Sequence, residues 1–279
     1  MKFGKLLGVG AVLAGLLSPV RAYADQRNDW MLQAGPPGSY LNVDVVFGAL
    51  QATFEKRMNV FGGANQLSLK AGAIAAIPFG SAQVDADLRI VILNIGVSGG
   101  VQDLWMNQTF EKGVEPTRKL RREREASGDF DQQQFGFVEG RAGIVLPFND
   151  YVLFNNVNAL RYSGVHSRSF DPQTGVVHDG SYLRSDFQLF IKHTSFGGIG
   201  PMFQLLNFAY DGDRPTQLNF GFVFVGRAGL VARNDLILFQ MLFHAGDALG
   251  GYDNHSTYGL AVTRGPIMFT LAYRAVISL

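Results

Sequence analysis

Toward the C-terminal end, hydrophobic side chains fall on every second position. Ile267, Phe269, Leu271, Tyr273, Ala275, Ile277 and Leu279 alternate with Met268, Thr270, Ala272, Arg274, Val276 and Ser278. A period of two sends the first set to one face of a β-strand and the second, with its charge, to the other. The same rhythm recurs along most of the chain. Residues 42–57 read as one strand, with Val46, Gly48, Leu50, Ala52 and Phe54 opposite Gln51, Thr53, Glu55 and Arg57. After a Gly62-Gly63-Ala64-Asn65 turn, residues 67–77 put Leu69, Ala71, Ala73 and Ala75 on one side and Lys70 on the other. A Pro78-Phe79-Gly80-Ser81 turn then leads to Val84, Ala86, Leu88, Ile90 and Ile92, alternating with Asp85, Asp87 and Arg89.

Further alternating segments lie near 100–110, 132–146, 151–162, 181–195, 201–210, 217–231, 235–246, 255–264 and 266–279. The pattern predicts about twelve antiparallel strands, within a range of roughly ten to fourteen. The Pro-Phe pairs at 78 and 147 are similar and are expected to turn the chain on the same side. Where strands carry one apolar and one polar face without a helix to bury against, closure into a barrel satisfies every backbone group. The expected fold is therefore all-β, a closed antiparallel transmembrane β-barrel.

Composition fits this expectation. Hydrophobic residues make up 47% of the chain and its mean hydropathy is +0.09, yet after the first residues no run approaches the roughly 20 apolar residues of a membrane helix. At the N-terminus, Lys2 and Lys5 precede an apolar stretch over 6–17 and a small-x-small site at Ala22-Tyr23-Ala24. This is the pattern of an export signal over 1–24, cleaved near Ala24. One barrel domain is then expected over 25–279, with exposed mobile loops near 111–130 and 163–180. The first loop alternates Arg118, Lys119, Arg121, Arg122 and Arg124 with Glu115, Glu123 and Glu125, too charged for hydrocarbon.

With an export signal and dyad strands running to the last residue, the chain resembles the bacterial outer-membrane β-barrel proteins as a class. The resemblance implies a Gram-negative cell envelope and a surface in contact with outer-membrane lipids. Members of that class typically end in an aromatic residue, whereas this chain ends in Leu279, with Tyr273 the nearest aromatic on the same face.

The absence of cysteine excludes disulfides, thiolate metal sites and cysteine nucleophiles. A net charge of +1 gives no footprint for nucleic acid. His166, His178, His244 and His255 show no metal-ligand spacing, so neither metal nor cofactor is predicted. Strand parity instead nominates interior residues: Lys70, Arg89, Arg141, Arg161, Arg227 and Arg274, with Asp85, Asp87 and Glu139. Lys70-Ala71-Gly72, Arg141-Ala142-Gly143 and Arg227-Ala228-Gly229 form a weak repeat that places three cations at one expected depth. Inward Val91, Val145, Val223 and Val225 argue for a partly filled interior.

Three functions follow from this reading. The first is a narrow, porin-like channel for small solutes with a weak preference for anions. The second is a closed barrel that anchors or joins an assembly of envelope proteins. The third is lipid-ester hydrolysis. His193 and Ser195 share a strand face, and with Asn207 they resemble the His-x-Ser arrangement of outer-membrane phospholipases and lipid A deacylases. That resemblance implies His193 as base, Ser195 as nucleophile and Asn207 as the group orienting the imidazole. With Met202, Leu206, Phe208 and Tyr210 taken as its lipid face, the strand after residue 200 would turn Asn207 inward.

The dyad pattern makes a spectroscopic prediction. Circular dichroism of the purified protein in detergent should be dominated by β structure, with heat-dependent mobility on gels. A mainly helical spectrum would contradict the strand assignment.

Overall fold

The computed structural model describes residues 36–46, 49–61, 65–76, 79–107, 109–111, 114, 118–165, 168–171, 176–193, 197–228, 230–231, 235–245, 262–264 and 267–279. Twelve long strands form the barrel: β1 (Gly38–Val46), β2 (Ala49–Asn59), β3 (Gln66–Ala76), β4 (Phe79–Ile90), β5 (Leu93–Asn107), β7 (Asp131–Pro147), β8 (Val152–Ser163), β11 (Ser181–His193), β12 (Gly197–Phe208), β13 (Thr216–Arg227), β14 (Leu236–Ala245) and β16 (Ile267–Ser278). Each pairs antiparallel with the next, and β1 pairs with β16, from Tyr40 opposite Ser278 to Val46 opposite Ala272. The sheet thus closes on itself, an outer-membrane type of fold in which no barrel strand keeps a free edge.

Between these strands lie β6 (Thr109–Phe110), β9 (Arg168–Asp171) and β10 (Val176–His178), which form a separate three-stranded sheet in the order β10-β9-β6. The helix α1 (Arg118–Ser127) precedes β7, and the short β15 (Val262–Arg264) pairs with the start of β16. The charged 111–130 segment, expected as a mobile loop, thus contains a helix. Arg124 donates from Nη1 to the Thr109 carbonyl at 2.5 Å, and Thr109 in turn donates to Asp131 at the start of β7.

The strand order sorts the connections onto two ends. The end where β1 begins and β16 finishes also carries the connections over 60–65, 91–92, 148–151, 194–196 and 228–235. The opposite end, the loop end, carries those over 47–48, 77–78, 108–130, 164–180, 209–215 and 246–266. The segment with Pro78 and the Pro147–Phe148 turn therefore lie on opposite sides, separated by β4, β5 and β7. The expectation of a common side fails because a Pro-Phe pair encodes a local bend and carries no information on strand count. Residues 42–57 comprise two strands divided at 47–48, while only 262–264 of the expected 255–264 strand is strand among the described residues. The export signal over 1–24 lies outside those residues.

Outward positions carry an apolar belt. Phe54, Leu69, Val84, Ile95, Val138, Ile191 and Phe203 are all exposed, as expected for a surface whose solvent is lipid. Inward positions pack. Val145, Leu153, Phe190, Met202, Val223 and Leu242 form one buried apolar cluster inside the β7–β14 half, with Val225 against it. A second, at the loop end, contains Ala49, Ala76, Phe79, Leu104 and Phe135. Phe79 is a fully buried strand residue, not part of a turn. Val91 faces outward in a turn at φ 52° and is not interior. The parity of β12 is the reverse of the one expected: Met202, Leu206 and Phe208 are buried, while Phe203 and Leu205 are exposed.

At the terminal end, Asp235 is wholly buried and accepts hydrogen bonds from the backbone N–H of Val231 and Val276 and from the Tyr273 hydroxyl. One carboxylate thus joins the turn before β14 to the last strand. Asp235→Ala leaves three donors without this acceptor and should cost about 3 kcal/mol or more, against about 1 kcal/mol for Tyr273→Phe. Denaturant unfolding of the detergent-solubilised protein measures both, and equal small losses would contradict the bridging role.

Candidate functional site

Among the described residues, most interior ion pairs lie on the half of the barrel formed by β16, β1–β5 and β7. Their side chains pair along the wall. At the closing seam, Arg274 donates to Asp44 at 2.5 and 3.0 Å, and the two residues sit directly opposite each other in register. Beside them Glu55 accepts from Asn42 at 2.8 Å, Ser68 at 2.6 Å and Arg57 at 2.7 Å. Next, Lys70 Nζ lies 2.7 Å from Asp87, and Arg141 reaches from β7 to Asp87 at 3.0 Å and Asp85 at 2.9 Å, with Glu139 at 3.5 Å.

Arg141 crosses β5 to make these contacts, and the crossing depends on a glycine. A Cβ at Gly96 would sit 2.2 Å from Asp87 Oδ1 and 3.1 Å from Arg141 Nε. The missing side chain is the space through which the ion pair passes. Farther toward the loop end, buried Arg161 donates to Gln102 at 2.6 Å, also across one strand, and lies over the Phe137 ring at 3.8 Å.

In several of the interior pairs the cation is the more exposed partner. Side-chain exposure is 48% for Arg274 against 6% for Asp44, 24% for Arg141 against 6% for Asp85, and 35% for Arg184 against 12% for Asp186. In these pairs the carboxylate lies deeper and the guanidinium lies over it. Lys70 and Asp87 are nearly equal in exposure, and Asp87 is more exposed than Arg141. At these pairs the inner surface presents cations compensated from beneath, with Asp87 as an open carboxylate among them.

The interior candidates from the sequence share this face, but not one depth. Lys70 and Arg141 do meet, at Asp87. Arg227 is the last residue of β13, at the terminal rim, and the repeat does not bring it to that carboxylate. The repeat misleads because it fixes a local pattern and not the distance to the strand end: Arg141 lies six residues before the last residue of β7, whereas Arg227 is itself the last residue of β13. Arg89 lies one residue from the terminal end of β4.

The hydrolase arrangement is separated by register. His193 is opposite Gly197, whereas Asn207 is opposite Leu183. That offset of about ten residues is roughly 33 Å along the strand, so the two lie at opposite ends of the barrel. Ser195 lies outside the described residues. Asn207 faces outward and donates to the Arg214 carbonyl and the Thr216 hydroxyl, each at 3.0 Å, tying together the β12–β13 connection.

Above the loop end, Arg168 is buried and donates to the Val114 carbonyl and the Tyr210 hydroxyl, both at 3.4 Å. Burial pushes the Tyr210 phenol above its usual range, partly offset by the Arg168 charge. Periodicity gave no signal for this cap, since β9 and β10 are too short to establish a period.

No family model matches the chain, and no curated protein matches it. Among solved structures, it is similar to the NanC porin at 9% identity and a TM-score of 0.40, over 87% of this chain and all of that one. It is also similar to CdiB from Acinetobacter baumannii, at 9% identity and a TM-score of 0.40, over 85% of this chain. The alignment spans 59% of CdiB's own length.

The Gly96 crossing gives a sharp test. Gly96→Ala should destabilise the protein in the parent background and less so in an Arg141→Gln background, a coupling of about 1 kcal/mol. Additive effects in a double-mutant cycle would show that the ion pair does not depend on that space.

Proposed function

We propose that the protein is a narrow channel of the bacterial outer membrane, conducting small solutes past the charged wall with a weak preference for anions. The observation that carries this reading is the layering of the ion pairs. A solute moving along the wall meets Arg274, Arg184 and Arg141 before it meets Asp44, Asp186 and Asp85. Compensation from beneath keeps the preference weak, while the low-dielectric wall keeps it from vanishing. The apolar cluster in the β7–β14 half narrows the path, which argues against a wide general pore. The exposed apolar belt is the surface for outer-membrane lipids.

A second reading has its own support. The same apolar cluster, with the three-stranded sheet over the mouth, suits an occluded barrel that anchors or contacts other envelope proteins.

Planar-bilayer recording of refolded protein separates the two. The channel reading expects small, steady conductance with an anion-to-cation permeability ratio modestly above one. Replacing Arg141, Arg184 and Arg274 with Gln should bring the ratio below one, because their carboxylates remain, whereas Lys replacements should preserve it. A silent bilayer with protein shown to be folded by heat-dependent gel mobility would overturn the channel and leave the occluded barrel.

A further inference from the structure

A polar patch interrupts the apolar belt on the lipid-facing surface. On β8, Asn156 and Asn158 have the outward parity of exposed Leu160 and Tyr162, whereas Leu153, Ala159 and Arg161 of the other parity are buried. Both asparagines lie near the middle of the strand, between Phe154 and Leu160. On β11, Ser185 stands directly opposite Asn158 and has the parity of exposed Leu183, Leu189 and Ile191. Asn156 Nδ2 donates to the Asp186 carbonyl at 3.0 Å, and Asn158 Nδ2 donates to Asn156 Oδ1 at 2.7 Å and to the Ala142 carbonyl at 3.5 Å. Asn158 Oδ1 and the Ser185 hydroxyl meet no hydrogen-bond partner among the described residues. Hydrocarbon cannot supply the missing bonds, so leaving them open at this depth is costly. The surface beside the patch is uneven. On the β7 side the outward residues are Gly140 and Ala142, and a Cβ added at Gly140 would meet nothing within 4 Å. The chain's own packing therefore does not require that glycine, although glycine weakens a strand interior. On the β12 side, Phe203 and Leu205 protrude and are exposed.

We infer that two copies of the chain associate within the membrane through this face. Copies inserted in the same direction are related by a two-fold axis along the membrane normal. An axis between β8 and β11 turns Asn158 of each copy toward Ser185 of the other, and the low β7 side of each toward the high β12 side of the other. The Ser185 hydroxyl then donates to Asn158 Oδ1 across the interface, twice over. An open acceptor and an open donor on adjacent strands complement a second copy of themselves, and lipid tails match neither. Apolar contact alone gains nothing over lipid, so small residues and polar side chains are what a membrane-embedded interface uses.

Single-molecule photobleaching of the labelled full chain in lipid bilayers, over a series of lipid dilutions, tests it. The parent should show a monomer–dimer equilibrium. Asn158→Leu combined with Ser185→Leu should raise the dissociation constant about tenfold or more while heat-dependent gel mobility is kept, since both replacements suit a lipid-facing position. Gly140→Leu should also weaken the dimer, because it fills the low side without touching its own chain. The chain has no cysteine, so oxidation of mixed Asn158→Cys and Ser185→Cys proteins in liposomes should give a cross-linked dimer. Phe54→Cys protein, altered on β2 across the barrel, should not cross-link. A parent that is monomeric at every dilution, or a dimer indifferent to these substitutions, overturns the inference. None of these readouts involves conductance, so the channel reading stands or falls separately.

Discussion

Closure of β1 onto β16 is the constraint from which the remainder follows. In hydrocarbon an unpaired N–H or C=O costs several kcal/mol, so a sheet with free edges cannot remain there. Once the ends are joined, every barrel strand has one face in lipid and one in a confined interior. The outward positions are then free to be Phe54, Val84 or Phe203, which would be liabilities on a water-facing surface. The seam itself carries a charged pair, Asp44 opposite Arg274, whose register places both side chains inside.

A polar interior surrounded by lipid also dictates how charge is handled. Isolated ions would be costly there, and pairing relieves that cost only when the remaining hydrogen-bonding capacity is filled. Glu55 shows this, with Arg57, Asn42 and Ser68 all donating to one carboxylate. Long arginine side chains can lie over short aspartates, and the reverse is sterically awkward. The layering of cation over anion at Asp44–Arg274 and Asp85–Arg141 thus follows from side-chain length on a curved wall.

Most of the architecture was legible because strand parity is a strict code where the faces differ. Lys70, Asp85, Asp87, Glu139 and Arg141 stand on the inner face that the alternation assigned to them. The code weakens where both faces are apolar. In β12, Met202, Leu206 and Phe208 fill the interior while Phe203 and Leu205 face outward, so the sequence offers two equivalent parities. It also weakens at very short connections: the 47–48 step is hidden within an unbroken hydrophobic alternation. The strand total of twelve came out right because that merged pair compensated for the strand expected over 255–264. The Asp87 junction was out of reach, since parity names a face but not a depth, and Gly96 matters only through what passes over it.

The claim on which all of this rests is that the barrel closes in one register, and the absence of cysteine from the chain makes it directly measurable. Asn42 and Val276 are directly opposite across the seam. Cysteines placed at both positions should form an intramolecular disulfide on mild oxidation of the folded protein, within the usual Cα separation for such a bond. Cysteines at 42 and 277, on opposite faces, should not. Equal cross-linking of both pairs, or of neither, would contradict a seam closed in this register.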